Sequence, residues 1–294
     1  MAVSARQPGN LVRLYEAFGR DAIDSILPGD TFGVDGIEFV CKYLPESTRD
    51  RFFIVKPLAL VERYRTLCSG PWDGGAIFEL GIAEGGSTAL LALLARPKRL
   101  IAIDLEQPPL QALADFVADR HLGDTVRLHY GVDQADRAHL AAILDADLGD
   151  GQLDVVIDDA SHQLAHTRAS FEVLFPRLRP GGWYVIEDWN LAHTMRDAIR
   201  AGLEDTAAPG HDELVRHFRE SIAAAGDEVP DPPLSRLAVE LLLARAGLGS
   251  AVDSVTVDEY WLTVRRGPGE LDRDSFRLDD LYRDHFGFLP PLDR

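Results

Sequence analysis

The residues of this chain best suited to chemistry are two carboxylates and a histidine that follow one apolar run. The run Leu153–Ile157 is rich in β-branched residues and does not alternate, which is typical of a strand buried on both faces of a parallel sheet. Asp158 and Asp159 come directly after it, and His162 follows three residues later. Ligands of open α/β sheets bind at the carboxyl ends of the strands, so we expect these side chains at a ligand-binding edge.

A second apolar run repeats the pattern. Residues 182–186 are mostly aromatic and β-branched, and they end in Glu187 and Asp188. Several carboxylates brought together without a cation would repel one another, and oxygen ligands suit hard cations such as Mg²⁺. Two strands that each end in an acidic pair therefore indicate a metal site. The alternative is that these acids only cap strands and helices.

The elements that would position these residues begin at Ala76. Strands are predicted at 76–80, 100–103, 125–130, 153–157 and 182–189, with helices at 89–95, 110–118, 136–144 and 164–178 between them. Such alternation is typical of an α/β fold, a doubly wound parallel sheet with helices on both faces. Two further runs, 252–257 and 260–264, are predicted to form a closing β-hairpin.

The flanking segments complete the predicted domain organisation. Residues 1–72 are expected to form an N-terminal helical cap that contacts substrate and other subunits, with helices at 34–44 and 57–67. Residues 73–267 would form the cofactor-binding domain. Within it, residues 190–250 are expected to be a helical lid insertion after strand 5, with a helix at 235–246. Residues 268–294 would be a C-terminal tail on the surface.

Composition narrows the class of partner. The chain has 30 Lys and Arg against 48 Asp and Glu, a net charge of −18, which argues against nucleic acid or an anionic membrane and favours a small molecule. The two cysteines, Cys41 and Cys68, lack metal-binding spacing and are expected to be reduced packing residues. No apolar stretch reaches the length of a membrane span or signal segment, so we expect a cytoplasmic protein.

A glycine-rich turn follows the first predicted strand of the sheet. Gly81, Gly85 and Gly86 allow the backbone to turn tightly and approach a ligand closely. Their spacing does not match the GxGxxG fingerprint of dinucleotide-binding proteins, and no Walker lysine follows, which disfavours a nicotinamide dehydrogenase. Glu79, just before the turn, would repel phosphate and suit a cationic ligand.

The next two strand ends also carry polar residues. Asp104 lies where a carboxylate can accept both hydroxyls of a ribose, and Asp133 and Gln134 are placed to meet an adenine edge. Each acid taken singly could be a solvated loop residue. Acids at the ends of four successive strands favour a nucleoside-containing ligand.

The segment Glu79–Ser87 (ELGIAEGGS), together with Asp104, resembles the first motif and the ribose-binding acid of class I S-adenosylmethionine-dependent methyltransferases. The resemblance covers residues 74–190. The segments VIDDASH and VIEDW narrow it to the magnesium-dependent O-methyltransferases of macrolide sugars and the related cephalosporin-hydroxylase-like group, although Ala160 stands where that family often has glycine. The resemblance implies a Rossmann-like sheet of strand order 3-2-1-4-5-7-6 with the last strand antiparallel.

The resemblance also implies S-adenosylmethionine and Mg²⁺ as cofactors. Asp158 is assigned to the cofactor side because it should point away from Asp159 on an extended strand. The expected cofactor-binding residues are Glu79, Gly81, Glu84, Gly85, Ser87, Asp104, Asp133, Gln134 and Asp158.

In the implied strand order the fourth and fifth strands are neighbours, so their acidic ends converge. Asp159, Glu187 and Asp188 are the expected ligands of Mg²⁺. His162 and Asp159 are the expected catalytic residues, with the neutral His162 imidazole removing a proton from an acceptor hydroxyl. Alternatively, His162 only caps the following helix, or it forms a zinc pair with His166.

The function that these features favour is methyl transfer from S-adenosylmethionine to a hydroxyl of a sugar or polyketide-type natural product. The acceptor would be a small molecule, and the family suggests a homo-oligomer. His193 and Trp189 are weaker candidates for substrate contact. The alternative is an S-adenosylmethionine-binding protein that is not itself a methyltransferase and acts as a partner or scaffold of a tailoring enzyme.

Overall fold

The computed structural model describes residues 29–42, 47–194, 197, 232–247 and 249–289. A small N-terminal sheet contains β1 (Thr31–Val34), β2 (Ile37–Val40) and β3 (Arg51–Phe53). A larger sheet contains β4 (Ala76–Leu80), β5 (Arg99–Asp104), β6 (Val126–Tyr130), β7 (Leu153–Asp158), β8 (Leu178–Glu187), β9 (Val252–Val257) and β10 (Trp261–Arg266). The helices are α1 (Leu58–Cys68), α2 (Gly86–Leu94), α3 (Gln111–Asp119), α4 (Arg137–Asp147), α5 (Leu164–Leu174) and α6 (Ser235–Ala246), with 3₁₀ turns at Phe175–Arg177 and Leu278–Asp280.

The larger sheet confirms the predicted fold class. Its strand order is β6-β5-β4-β7-β8-β10-β9, which is 3-2-1-4-5-7-6 when strands are counted from β4. Strands β4 to β8 pair in parallel, and β10 runs antiparallel to both β8 and β9. Order reverses between β4 and β7, so the loops after these strands diverge and leave room for a ligand at the carboxyl edge.

Alternation along the central strands divides the core into two layers. Ile77, Val155 and Val185 face the layer that holds α1, α2 and the N-terminal sheet, whereas Val156 and Tyr184 face the layer that holds α4, α5 and α6. Both layers are buried, which explains why these strands are continuously apolar. Because successive side chains of a strand point to opposite faces, the position of a polar residue along the strand decides which of the two layers it faces.

The predicted helix at 34–44 is wrong, because this segment forms the β1–β2 hairpin. Asp35 and Gly36 have φ values of 47° and 81°, the left-handed conformation that a two-residue hairpin turn requires. Ile37 and Phe39 are buried while Glu38 is exposed, which is the alternation of a strand. The Asp-Gly pair is the sequence signal that the helical interpretation overlooked. The helix predicted at 57–67 is confirmed as α1.

Part of the C-terminal region, which was expected to be a tail on the surface, is buried. Phe276 and Leu278 are buried against α5, and the Leu278 amide donates a hydrogen bond to Glu172. Strand β8 also begins before the predicted 182, at Leu178. The first 28 residues of the expected cap and most of the 190–250 insertion lie outside the described residues. None of the described helices has the length and apolarity needed to cross a bilayer.

Candidate active site

The acidic ends of β7 and β8 meet on one face of the sheet. Asp158 is paired in register with Ile186, so the next residues, Asp159 and Glu187, are neighbours that point to the same layer. This is the convergence that the strand order implied. Their layer is the one that contains α1 and the N-terminal sheet, so groups from that part of the chain can reach them.

Lys56 joins these two carboxylates. It lies between β3 and α1, and its Nζ donates to Asp159 Oδ2 and to Glu187 Oε2, each at 2.6 Å. The side chain is almost fully buried. Burial by itself would lower the pKa of Lys56, but the attraction of both carboxylates outweighs this and raises the pKa above its usual value. Lys56 is therefore a charged ammonium that holds the acid pair together.

Glu187 has a partner for each of its oxygens. Oε2 accepts from Lys56, and Oε1 accepts a hydrogen bond from the Tyr64 hydroxyl of α1. Tyr64 is itself packed edge-on against Trp72 and Trp261. Burial raises the pKa of Glu187 to about 7, against the opposing pull of Lys56. Both oxygens of Glu187 are therefore already engaged by groups from the N-terminal part of the chain.

The second carboxylate oxygen of Asp159 faces His162. Its Oδ1 lies 4.0 Å from His162 Nε2. One donor atom from each of Asp159, His162 and Asp188 lies within 4.8 Å of the others, the spacing of a site that could hold a metal ion. His166 is not a member of this group.

Backbone conformation explains why Asp188 joins this group. A strand continuing past Glu187 would direct the next side chain to the opposite layer, but Asp188 has a φ of 52° and leaves the strand. His162 also has a positive φ, 55°. Non-glycine residues in this conformation are uncommon and concentrate at functional sites. The pKa of Asp188 is raised by desolvation and by the nearby Asp159 carboxylate, so a cation here would be favoured.

The donor set fits Mg²⁺. Asp159 and Asp188 present carboxylate oxygens on the open side, and the ion prefers such ligands with water or substrate oxygens completing its shell. Glu187, the third expected ligand, lies next to Asp159 but is engaged by Lys56 and Tyr64. His162 lies beside these acids as the third member of the group.

The glycine turn after β4 lies directly beside these acids. Gly81 has a φ of 98°, and a Cβ at this position would be 2.2 Å from the Asp159 carbonyl oxygen. Only glycine allows the two loops to approach this closely. Asp104, at the end of β5, accepts hydrogen bonds from the backbone N–H groups of Ile82 and Ala83 at 2.9 and 2.8 Å. Asp104 thus fixes the shape of the turn from the neighbouring strand.

Glu79 lies buried beneath the turn. It accepts hydrogen bonds from Thr88 at 2.6 Å and from Ser87, both in the first turn of α2. Burial raises its pKa to about 7, although these hydrogen bonds act in the opposite direction. Glu84 is also buried, and Gly85 adopts a φ of 76° at the start of α2. These expected cofactor residues therefore cluster around one turn.

Asp158 and Gln134 form a second buried network on the opposite layer. Gln134 Nε2 donates to both Asp158 oxygens at 3.1 and 3.2 Å, and Ser170 and Tyr184 donate to the same carboxylate. Burial raises the pKa of Asp158 to about 6. Asp133 instead turns outward and accepts from the Ala135 amide. The cofactor roles given to these residues remain predictions.

The sequence interpretation missed Lys56 and Tyr64. Both come from the segment expected to be a cap, more than 100 residues before their partners. One compositional signal was present: Lys42, Lys56 and Lys98 are the only lysines among 30 Lys and Arg residues. Because the chain uses arginine almost everywhere else, a lysine before a proline in an apolar segment could have been singled out.

Comparison with known proteins identifies the class of domain. Residues 78–189 match the family described as "Methyltransferase domain". This range begins in β4 and ends just after Asp188, so it contains the glycine turn and both acidic strand ends. The predicted resemblance to class I methyltransferases is confirmed over this segment.

Two relatives are O-methyltransferases according to their names. The 8-demethyl-8-alpha-L-rhamnosyl tetracenomycin-C 2'-O-methyltransferase of Streptomyces olivaceus is 48% identical over 73 residues, 24% of this chain and 18% of that protein. The mycinamicin VI 2''-O-methyltransferase of Micromonospora griseorubida is 45% identical over 74 residues, 20% of this chain and 18% of that protein. The match thus spans less than a fifth of either relative.

Among solved structures, the methyltransferase MycE from the mycinamycin biosynthetic pathway, in complex with Mg, SAH and mycinamycin VI, is similar to this chain. The sequences are 23% identical, the match covers 73% of this chain and 50% of that chain, and the TM-score is 0.46.

Proposed function

We propose that this chain is an S-adenosylmethionine-dependent, Mg²⁺-assisted O-methyltransferase that acts on a hydroxyl of a sugar or polyketide-type natural product. The observation that carries the proposal is the group formed by Asp159, His162 and Asp188 directly beside the Gly81 turn. The methyltransferase-domain match over residues 78–189 and the names of the relatives support the same reaction.

The cofactor would occupy the glycine turn. The Glu84 carboxylate lies near it, and negative charge there suits a sulfonium rather than a phosphate. Asp104 lies at the end of the adjacent strand to receive ribose hydroxyls, and Leu105 beside it is 68% exposed, offering apolar surface to a base. When bound, S-adenosylmethionine would supply the methyl group and Mg²⁺ would lower the pKa of the acceptor hydroxyl.

The chain's own residues would hold the acceptor and move its proton. Asp159 and Asp188 would bind the ion on the open side of the site, with Glu187 behind them. The His162 imidazole would accept the hydroxyl proton, and its position over Asp159 would stabilise the imidazolium that forms. Close placement of the hydroxyl oxygen and the methyl group would then contribute much of the rate.

The test is an assay of the purified protein with S-adenosylmethionine, Mg²⁺ and a panel of rhamnosylated and macrolide glycosides. Formation of S-adenosylhomocysteine together with an acceptor heavier by one methylene is the expected result. Calorimetric binding of S-adenosylmethionine with no transfer to any acceptor would instead favour the scaffold alternative. A cytoplasmic location and a homo-oligomeric state remain predictions from the sequence.

A further inference from the structure

The Lys56 ammonium lies where a cation shared by Asp159 and Glu187 would lie. Its Nζ is 2.6 Å from one oxygen of each carboxylate. A Mg²⁺ ion bound to the same two oxygens would be about 2.1 Å from each. Because these positions nearly coincide, the ammonium and the ion cannot occupy them together.

Lys56 is also well suited to leave this position. A lysine ammonium is a compact charge on a flexible stem, unlike the planar fork of arginine. In its present position its Nζ also lies 5.5 Å from the centroid of the Tyr64 ring, a contact that does not depend on the two carboxylates. Without any cation, Glu187 would be a buried carboxylate that keeps only its hydrogen bond from Tyr64, which is costly.

We propose that Lys56 is a built-in counterion of the Asp159–Glu187 pair, and that a divalent ion binds Glu187 only by displacing the ammonium. Lys56 thereby lowers the affinity of the site for the ion and keeps the acids in place when the ion is absent. The inference rests on the proposed function, which places a divalent ion on Asp159 and Asp188, and it adds Glu187 as a third ligand once the ammonium has left. It adds a positioning residue from outside the matched methyltransferase segment.

The displacement is tested by titrating the Lys56→Met variant with Mn²⁺ and measuring the concentration of free ion by electron paramagnetic resonance. Removing a positive charge next to the ion should tighten binding by about tenfold or more. An unchanged or weaker affinity would overturn the proposal. Lys98→Met is the matched control. The exposed Lys98 side chain forms an ion pair with Asp154 at 3.0 Å, away from the site. The Lys98→Met variant should therefore bind Mn²⁺ with the same affinity as the wild type.

A second measurement uses the unaltered protein, in case Lys56→Met does not fold. The chain has three lysines, so acetylation by a water-soluble reagent can be followed at each by peptide mass spectrometry. Saturating Mg²⁺ should increase acetylation of Lys56 and leave Lys98 unchanged. Equal protection of Lys56 with and without bound Mg²⁺, or no binding of the ion, would contradict displacement.

Failure of this inference can be told apart from failure of the proposed function. Methyl transfer that depends on Mg²⁺, combined with an affinity that Lys56→Met does not tighten, would remove the inference and keep the function. Tighter Mn²⁺ binding by the variant, with no methyl transfer to any acceptor, would keep the inference and remove the proposed function.

Discussion

His162 stands 4.0 Å from Asp159 in a left-handed backbone conformation, and its proposed task is to accept a proton. Replacement by alanine removes the base but leaves the acids in place. We expect His162→Ala to lower kcat by roughly a hundredfold or more, with little change in the KM for S-adenosylmethionine. Steady-state assays of S-adenosylhomocysteine formation measure both constants.

His166→Ala provides the control for this variant. His166 lies four residues further along, in α5, and outside the group of three donor atoms. Its removal should leave kcat within about threefold of the wild-type value, as usual for a residue that touches no reacting group. Equal losses in the two variants would point to the histidine pair and against the proton-transfer role of His162 alone.

Glu79 should give the protein a measurable pH dependence of stability. Its pKa is raised to about 7 in the folded protein, whereas an unfolded glutamate titrates near 4.5. The folded state therefore binds the proton more tightly, and stability falls as pH rises from about 4.5 to about 7, by roughly 3 kcal/mol.

Glu79→Gln should abolish this component. Urea unfolding at pH 5 and at pH 8 gives the free energy of unfolding of both proteins, and the wild type should lose about 2.5 kcal/mol more than the variant between the two pH values. Parallel pH dependence in the two proteins would mean that Glu79 is not desolvated as the structure indicates.

At the scale of elements, the shape of the site depends on the close approach of two loops, the one after β4 and the one after β7. A Cβ at Gly81 would be 2.2 Å from the Asp159 carbonyl oxygen, so Gly81→Ala must push the β7 loop away. We expect a loss of about 2 kcal/mol or more in the free energy of unfolding and weaker divalent-ion binding. Chemical unfolding and Mn²⁺ titration measure the two effects.

Gly74→Ala is the control that separates the cost of backbone strain from the cost of the steric clash at Gly81. Gly74 also has a positive φ, 68°, but a Cβ there would meet nothing within 4 Å. This variant should lose only the conformational term, about 1 kcal/mol, and bind Mn²⁺ normally. The site would not depend on the Gly81 contact if both variants behaved alike.

The elements that the sequence predicted best are those with the clearest apolar pattern, either a continuous apolar run or helical spacing. Strands β4 and β7 and helix α6 were located to within a residue, because continuous apolar runs and helical spacing leave little choice there. The β1–β2 hairpin was misread because its strands are only four residues long, too short to establish a period without the Asp-Gly turn.

At the scale of the whole molecule, contacts between distant parts of the chain decide what sequence reasoning can reach. The proximity of Asp159 and Glu187 could be predicted from the strand order, because neighbouring parallel strands align their carboxyl ends. Lys56 reaches Glu187 across 131 residues of sequence, through packing of α1 on the sheet. No local pattern encodes such a contact, so only the folded structure could reveal it.

The net charge of −18 bears on a further test. Any salt screens repulsion in so acidic a chain and can raise Tm, so a metal effect must be measured at constant ionic strength. Under that condition Mg²⁺ should raise the Tm of the wild type, because the ion binds the folded state only, and EDTA should reverse the rise. Asp188→Asn should lose most of this shift. An equal shift in the variant would mean that the ion acts elsewhere.

The most direct measurement of the central claim is the anomalous scattering of Mn²⁺ in crystals of the protein grown with S-adenosylhomocysteine. We expect one strong peak within bonding distance of Asp159 and Asp188, with His162 facing the same space and the ligand in the Gly81 turn. A saturating concentration of Mn²⁺ that leaves no peak between these carboxylates, or a peak remote from His162, would contradict metal-assisted methyl transfer at this site.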